Sequence, residues 1–173
     1  MSAADSFVAL RLGVLTVSDS RTEADDTSGH YLVDALTQAG HERADKRILT
    51  DDVYQVRAQV ACWIAEPAVD GVLITGGTGM TGRDVTPQAV QPLLDRTVDG
   101  FGELFRYLSY QEIGTATVQS RAFAGMANGT LVFALPGSTG ACRTAWDGIL
   151  VEQLDVRYRP CNFATLLPRF SEV

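Results

Sequence analysis

The sequence predicts an α/β fold: a three-layer, doubly wound, mostly parallel sheet with helices on both faces. Three observations carry this expectation. Short apolar runs at Leu10–Val17, Val72–Thr75 and Thr130–Leu135 are nearly continuous, as strands covered on both faces should be. Amphipathic helical windows separate them. Two of the runs lead directly into turn sequences, Gly76-Gly77-Thr78-Gly79 and Pro136-Gly137-Ser138. A βαβα order with right-handed crossovers makes the sheet parallel and places helices on both sides of it.

Taken in order, Leu10–Val17 is the first strand. Ser28 can cap a helix with Tyr31, Leu32, Ala35 and Leu36 on one face, and Gly40 ends it. Ala44–Leu49 reads as a second, edge-like strand. Asp51 or Asp52 caps the next helix, which carries Val56, Val60, Trp63 and Ile64 and stops before Pro67. Val72–Thr75 is the third strand. Pro87 suits the first turn of a further helix, where its missing N–H would be unpaired anyway. Phe101–Tyr110 and Thr117–Met126 read as two more helices, and Thr130–Leu135 as a strand followed by a helix to about Leu154. From Val156 onward, Pro160 and Pro168 interrupt the pattern, so a tail wrapping the surface is expected. Residues 1–173 thus read as a single domain, with an ordered core of about 10–155 and a C-terminal tail of 156–173.

Composition excludes several classes. The formal net charge is −7 and no Lys/Arg run occurs, so no basic stripe is present for a nucleic acid. No apolar run approaches the roughly 20 residues that cross a bilayer. The opening Met-Ser-Ala-Ala-Asp-Ser-Phe has no basic region followed by an apolar one, so no secretory leader is expected. Cys62, Cys142 and Cys161 form no CxxC pair, which suits a reducing, cytoplasmic setting. Cys62 and Cys142 fall in apolar helical stretches and read as buried filler. Trp63 and Trp146 read as core or subunit-interface residues, and Phe101–Tyr110 as partly interface.

In doubly wound sheets ligands bind beyond the carboxyl ends of the strands, where the strand order reverses. Four polar segments fall at that edge: Thr16 to Asp19, Thr50 to Asp52, Gly76 to Pro87 and Pro136 to Gly140. Gly76, Gly77, Thr78 and Gly79 permit positive φ and close backbone approach, and their N–H groups can form an anion nest, or simply a turn. Pro136, Gly137 and Ser138 precede a helix, so Ser138 is either a cap or part of a phosphate site. Asp84 and Asp51 each have a capping alternative, yet their place beside two phosphate-ready loops suits carboxylates that hold Mg²⁺. Ser18 and Asp19 share the edge, with Asp19 and the Asp25-Asp26 pair the weaker acids, read as solvated loop charges. No GKS or GKT follows either glycine loop, the first strand ends in Ser18-Asp19 instead of GxGxxG, and no GxSxG elbow occurs. His30 and His41 form no metal cluster.

The run Leu73-Ile74-Thr75-Gly76-Gly77-Thr78-Gly79, followed by Arg83-Asp84-Val85-Thr86-Pro87, resembles the MoaB/Mog family of molybdenum-cofactor biosynthesis proteins. So do Thr16-Val17-Ser18-Asp19, Asp26-Thr27-Ser28-Gly29, Gly100-Phe101-Gly102-Glu103, Ser120-Arg121 and Leu135-Pro136-Gly137-Ser138, in one order from about Leu10 to Phe163. Asp25 to Tyr31, Cys142 to Trp146 and Arg159 to Phe163 are similar to the MoaB branch. The resemblance implies a molybdopterin-binding domain, a homo-oligomer (trimer or hexamer), and adenylylation of molybdopterin by Mg²⁺-ATP with release of pyrophosphate. It implies catalytic and Mg²⁺-holding roles for Asp51 and Asp84, and a downstream molybdenum-insertion partner. Other readings are a non-catalytic pterin-binding or assembly protein, a flavodoxin-like flavin binder and a purely structural oligomer.

Overall fold

The computed structural model describes residues 6–170; the first five residues and the last three of the expected tail lie outside that range. Six strands form one sheet: β1 (Arg11–Val17), β2 (Glu42–Leu49), β3 (Gly71–Thr75), β4 (Arg96–Thr97), β5 (Phe123–Ala127) and β6 (Thr130–Leu135). Their order is β2-β1-β3-β6-β5-β4, with β2 at an edge. Strands β2, β1, β3 and β6 are parallel, whereas β5 is antiparallel to both β6 and β4.

The period of two along each strand divides the interior into two cores. Leu12 and Val14 of β1, Leu73 of β3, and Leu131, Phe133 and Leu135 of β6 face one side. There they meet α1 (Thr27–Gln38), α4 (Asp99–Ile113) and α5 (Thr139–Ala145) through Leu32, Leu36, Phe101, Phe105 and Cys142. The alternate residues, Leu15 and Val17, Val72 and Ile74, Val132 and Ala134, pack beneath α2 (Val53–Ala65) and α3 (Thr86–Val90). Both faces of the central strands are therefore apolar, which is why those runs read as unbroken. Trp63 and Trp146 are both buried.

Several expectations are corrected. The expected helix over Thr117–Met126 is a short 3₁₀ segment, Gly114–Gln119, followed by β5. Asn128 (φ 47°) and Gly129 (φ 82°) make a two-residue turn that folds β5 back onto β6, pairing Ala127 with Thr130. Asn-Gly is the dipeptide that such a hairpin turn favours, because both central residues need positive φ. Asp26, not Ser28, caps α1 by accepting from the Gly29 amide; Asp52 caps α2 through the amides of Tyr54 and Gln55, which leaves Asp51 free for other work. The helix after β6 is not uniform: a π-helical turn at Trp146–Leu150 joins α5 to α6 (Val151–Gln153). Cys62 is exposed, not buried, while Cys142 is buried as expected. The tail carries α7 (Phe163–Leu166), capped by Asn162, and Phe163 packs against Phe133 with ring centroids 6.0 Å apart.

Candidate functional site

From β1 the chain moves outward to β2 and then crosses back to β3, so the strand order reverses between β1 and β3. A cleft of about 460 Å³ opens there, beyond the carboxyl ends of β1, β3 and β6. Its floor is built by Thr16 to Ser18, Gly76 to Gly79 and Pro136 to Ser138. The opposite wall comes from α4 and the 3₁₀ segment, through Phe105, Ser109 and Thr117.

The glycine loop has a conformation that side chains would obstruct. Gly76 and Gly77 have φ of 102° and 65°, and a Cβ on Gly76 would collide with the Val17 carbonyl oxygen. A Cβ on Gly77 would lie 2.5 Å from Thr86 Oγ1 and 3.3 Å from Asp51 Oδ1. Thr86 fixes the loop from below, its hydroxyl donating to the Gly76 carbonyl at 2.8 Å and its amide to the Gly77 carbonyl at 3.0 Å. The second turn lies against the first: a Cβ on Gly137 would stand 3.2 Å from Gly76 Cα. Thr75 Oγ1 donates to the Pro136 carbonyl at 3.0 Å and Ser28 Oγ to the Gly137 carbonyl at 2.7 Å. Ser138 caps α5, accepting from the Ala141 amide at 3.1 Å, so its hydroxyl already has a structural role.

The two aspartates sit differently. Asp84 does not cap α3 with its side chain; Val85 is at that position. Its carboxylate accepts instead from the Gly79 amide at 2.9 Å, the Thr81 amide at 2.8 Å and the Thr81 hydroxyl at 2.6 Å. Burial alone would raise the Asp84 carboxyl, but the Thr81 and Gly79 donors and Arg121 outweigh it and hold it below the ordinary value. The Asp51 carboxylate accepts from the Asp19 amide at 3.1 Å, and its own amide donates to Asp19 Oδ1 at 3.0 Å. Burial and then the Asp19 charge push the Asp51 carboxyl up, Asp84 adds to this, and the Asp19 amide and Arg83 oppose it. Arg83 is exposed and pairs with Asp19 at 3.1 Å.

Of the residues singled out from sequence, Asp51, Asp84, Ser18, Gly76 to Gly79 and Pro136 to Ser138 all line the cleft. Asp19 is not among the lining residues and acts through its bonds to Asp51 and Arg83. Asp26 departs furthest from expectation. Read as a solvated charge, it is fully buried, lines the cleft, accepts from Thr16 Oγ1 at 2.9 Å and pairs with Lys46 at 2.9 Å. Its partner Lys46 comes from β2, where it stands between other charges, and its side chain is only 6% exposed. Thr16 was placed at this edge from sequence, whereas Thr75, Ser28 and Thr117 were not singled out as site residues. Thr75 ends β3, Ser28 lies in the first turn of α1 and Thr117 in the wall, and their hydroxyls meet only when the chain folds. Among the described residues, no group of three or more His, Cys, Asp or Glu side chains is arranged to hold a metal ion by itself. No described helix is long and apolar enough to cross a membrane.

Residues 13–156 match the family described as "Probable molybdopterin binding domain". The chain is 60% identical over 157 residues to molybdenum cofactor biosynthesis protein B of Escherichia coli (strain K12), covering 91% of this chain and 92% of that protein. Its identity to the protein of the same name from Bacillus subtilis (strain 168) is 42% over 146 residues, covering 84% and 86% respectively. A crystal structure of a molybdenum cofactor biosynthesis protein B superposes with a TM-score of 0.84 at 42% identity, over 87% of this chain and 94% of that one. The tungsten cofactor synthesizing protein MoaB from Pyrococcus furiosus superposes with a TM-score of 0.73 at 38% identity, over 83% and 92%. At these identities and coverages, the chain belongs to the MoaB/Mog family of molybdenum cofactor biosynthesis proteins.

Proposed function

We propose that the cleft binds molybdopterin by its terminal phosphate and joins it to the adenylyl group of Mg²⁺-ATP, releasing pyrophosphate. The observation that carries this reading is the contact between the two glycine turns at the strand-order reversal, with Asp51 and Asp84 lining the same cleft. Backbone amides at such turns meet phosphate oxygens without a cationic side chain, which suits a chain of net charge −7.

The chemistry asks little of the protein beyond placement. A phosphate oxygen of the pterin forms the new bond to the α-phosphorus of ATP, and the bond from that phosphorus to the departing pyrophosphate breaks. The attacking oxygen is already anionic, so no base is required. Positioning and neutralisation of charge supply the rate. The residues present fit a magnesium ion: Asp51 lines the cleft with its carboxyl raised first by burial and then by the Asp19 and Asp84 charges, both of which a cation beside it offsets. Mg²⁺ commonly takes one or two carboxylates and completes its shell with water and substrate phosphates, so a full protein cage is not needed. When bound, it neutralises phosphate charge. Asp51 and Asp84 would hold it, while Gly76 to Gly79 and Gly137 to Ser138 would cradle phosphates, flanked by Ser18 and Pro136.

We read the working form as a cytoplasmic homo-oligomer, a trimer or hexamer, that passes its product to a downstream molybdenum-insertion protein. Exposed Leu104, Tyr107, Tyr110 and Ile113 on α4 supply an apolar surface for assembly. A non-catalytic pterin-binding role is the second reading, favoured by the commitment of both Asp84 oxygens to loop donors. The deciding experiment incubates freshly prepared molybdopterin with the protein, Mg²⁺ and ATP without oxygen, following adenylylated pterin and pyrophosphate. Formation of both supports the transferase. Pterin binding without product, by folded protein, moves the assignment to the binding role.

A further inference from the structure

Arg121 lies outside the floor of the cleft, yet its guanidinium reaches both ends of one loop. Its Nε donates to the Gly79 carbonyl at 2.7 Å and one terminal nitrogen to the Asp84 carbonyl at 2.6 Å. Its main-chain amide donates to the Thr78 carbonyl at 3.0 Å. With its amide oxygen turned inward, Gln88 of α3 accepts from the remaining terminal nitrogen at 2.8 Å, and its own NH₂ reaches the Asp84 carbonyl at 3.3 Å. The guanidinium is thus spread between the first and last residues of the Gly79–Asp84 loop. Within that loop the Asp84 carboxylate gathers the Gly79 and Thr81 amides, so carbonyls point back to Arg121 while the carboxylate closes the loop on itself. Arg106 holds the chain beside Arg121 itself, donating to the Ala122 carbonyl at 3.0 Å.

We propose that Arg121 is the positioning residue of this site, clamping both ends of the Gly79–Asp84 loop and so fixing the Asp84 carboxylate toward the phosphorylated ligand. The proposal rests on the reading given under Proposed function for what the loop binds, but not for the clamp itself. A planar fork with five donors at fixed angles is needed to bridge two carbonyls and an amide oxygen; a lysine keeps the charge and reaches only part of that set. Arg121 touches no reacting atom. Its effect is transmitted through the loop, and misplacement of reacting groups by an ångström costs about a hundredfold in rate.

The test is Arg121→Lys in the full chain, with two readouts. Amide hydrogen exchange, measured without ligand, is expected to accelerate by at least an order of magnitude at Gly79 and Thr81 while core amides at Leu73 and Val132 keep their protection. In the anaerobic adenylylation assay, kcat is expected to fall about a hundredfold and KM for molybdopterin to rise, because the same loop loses its hold. Unchanged exchange at Gly79 and Thr81 overturns the clamp. So does acceleration spread evenly over the loop and the core, which marks a residue that only supports the fold. If the wild type shows no turnover, the transferase reading fails while the exchange result still decides the role of Arg121.

Discussion

Asp19 and Asp51 hold each other by the backbone: the amide of each donates to the carboxylate of the other, at 3.1 and 3.0 Å. This joins the loop after β1 to the loop after β2 and brings two carboxylates together at the rim of the cleft, with Asp84 near enough to add its charge. Burial first, and this crowding second, disfavour the charged form of Asp51, so removing its charge should help the fold. Asp51→Asn keeps an oxygen for the Asp19 amide and is expected to raise Tm at neutral pH by about 2 °C or more. A thermal melt of the two proteins side by side checks this; a lower Tm in the variant contradicts the crowding.

Asp84 differs in kind, because both of its oxygens already receive donors from Gly79 and Thr81. In Asp84→Asn an NH₂ group must face one of those donors, and the loop loses its closure. Pterin affinity and turnover are therefore expected to fall together, by about tenfold or more in each. Titration calorimetry beside the turnover assay measures both. A variant that binds as the wild type does would make the loop closure irrelevant to the ligand.

The buried pair beneath the cleft sets a larger stake on stability. Asp26 is fully buried and the Lys46 side chain is 6% exposed, so Lys46→Met leaves a carboxylate with its two hydrogen-bond donors but no cation. The expected loss is about 3–5 kcal/mol in urea unfolding. Pairing it with Asp26→Asn should recover much of that loss, since no lone charge then remains. Additive losses in the double variant would argue against an ion pair as the cause.

The pH dependence of stability should carry a signature of His41. Its Nδ1 accepts from the Leu10 amide at 3.2 Å, and its ring lies between Phe7 and Trp146. Burial holds the imidazole below its ordinary value of 6.5, against the pull of Asp155 and Asp70. A base depressed by folding stabilises the native state above its unfolded pKa, and that contribution is lost as pH falls through the folded value. His41→Asn retains an acceptor that does not titrate. Between neutral pH and about pH 5, the wild type should lose Tm faster than this variant. Parallel curves would remove His41 from the acid sensitivity.

Much of this arrangement could be read from the chain because its signals were local. Continuous apolar runs marked β1, β3 and β6, and the glycine turns after β3 and β6 marked the cleft floor. What escaped depended on partners distant in sequence. Phe123 to Ala127 has apolar spacing compatible with a helix, and only pairing with β6 across Asn128-Gly129 makes it a strand. Asp26 looked like a loop charge because Lys46, its partner, arrives from another strand. Arg121 belonged to a motif without an evident role, and its role emerges only when Gly79 and Asp84 are seen on either side of it. Cys62 shows the converse limit: an apolar neighbourhood in sequence does not settle which helix face meets the sheet.

The central claim is that Asp51 lines a phosphate-binding cleft and acts on the reacting phosphates. Its most direct test compares Asp51→Asn with the wild type for anaerobic molybdopterin binding and for adenylylated product in the same preparations. The account predicts binding close to wild type and a loss of turnover of about a hundredfold or more. Full turnover by Asp51→Asn would contradict it.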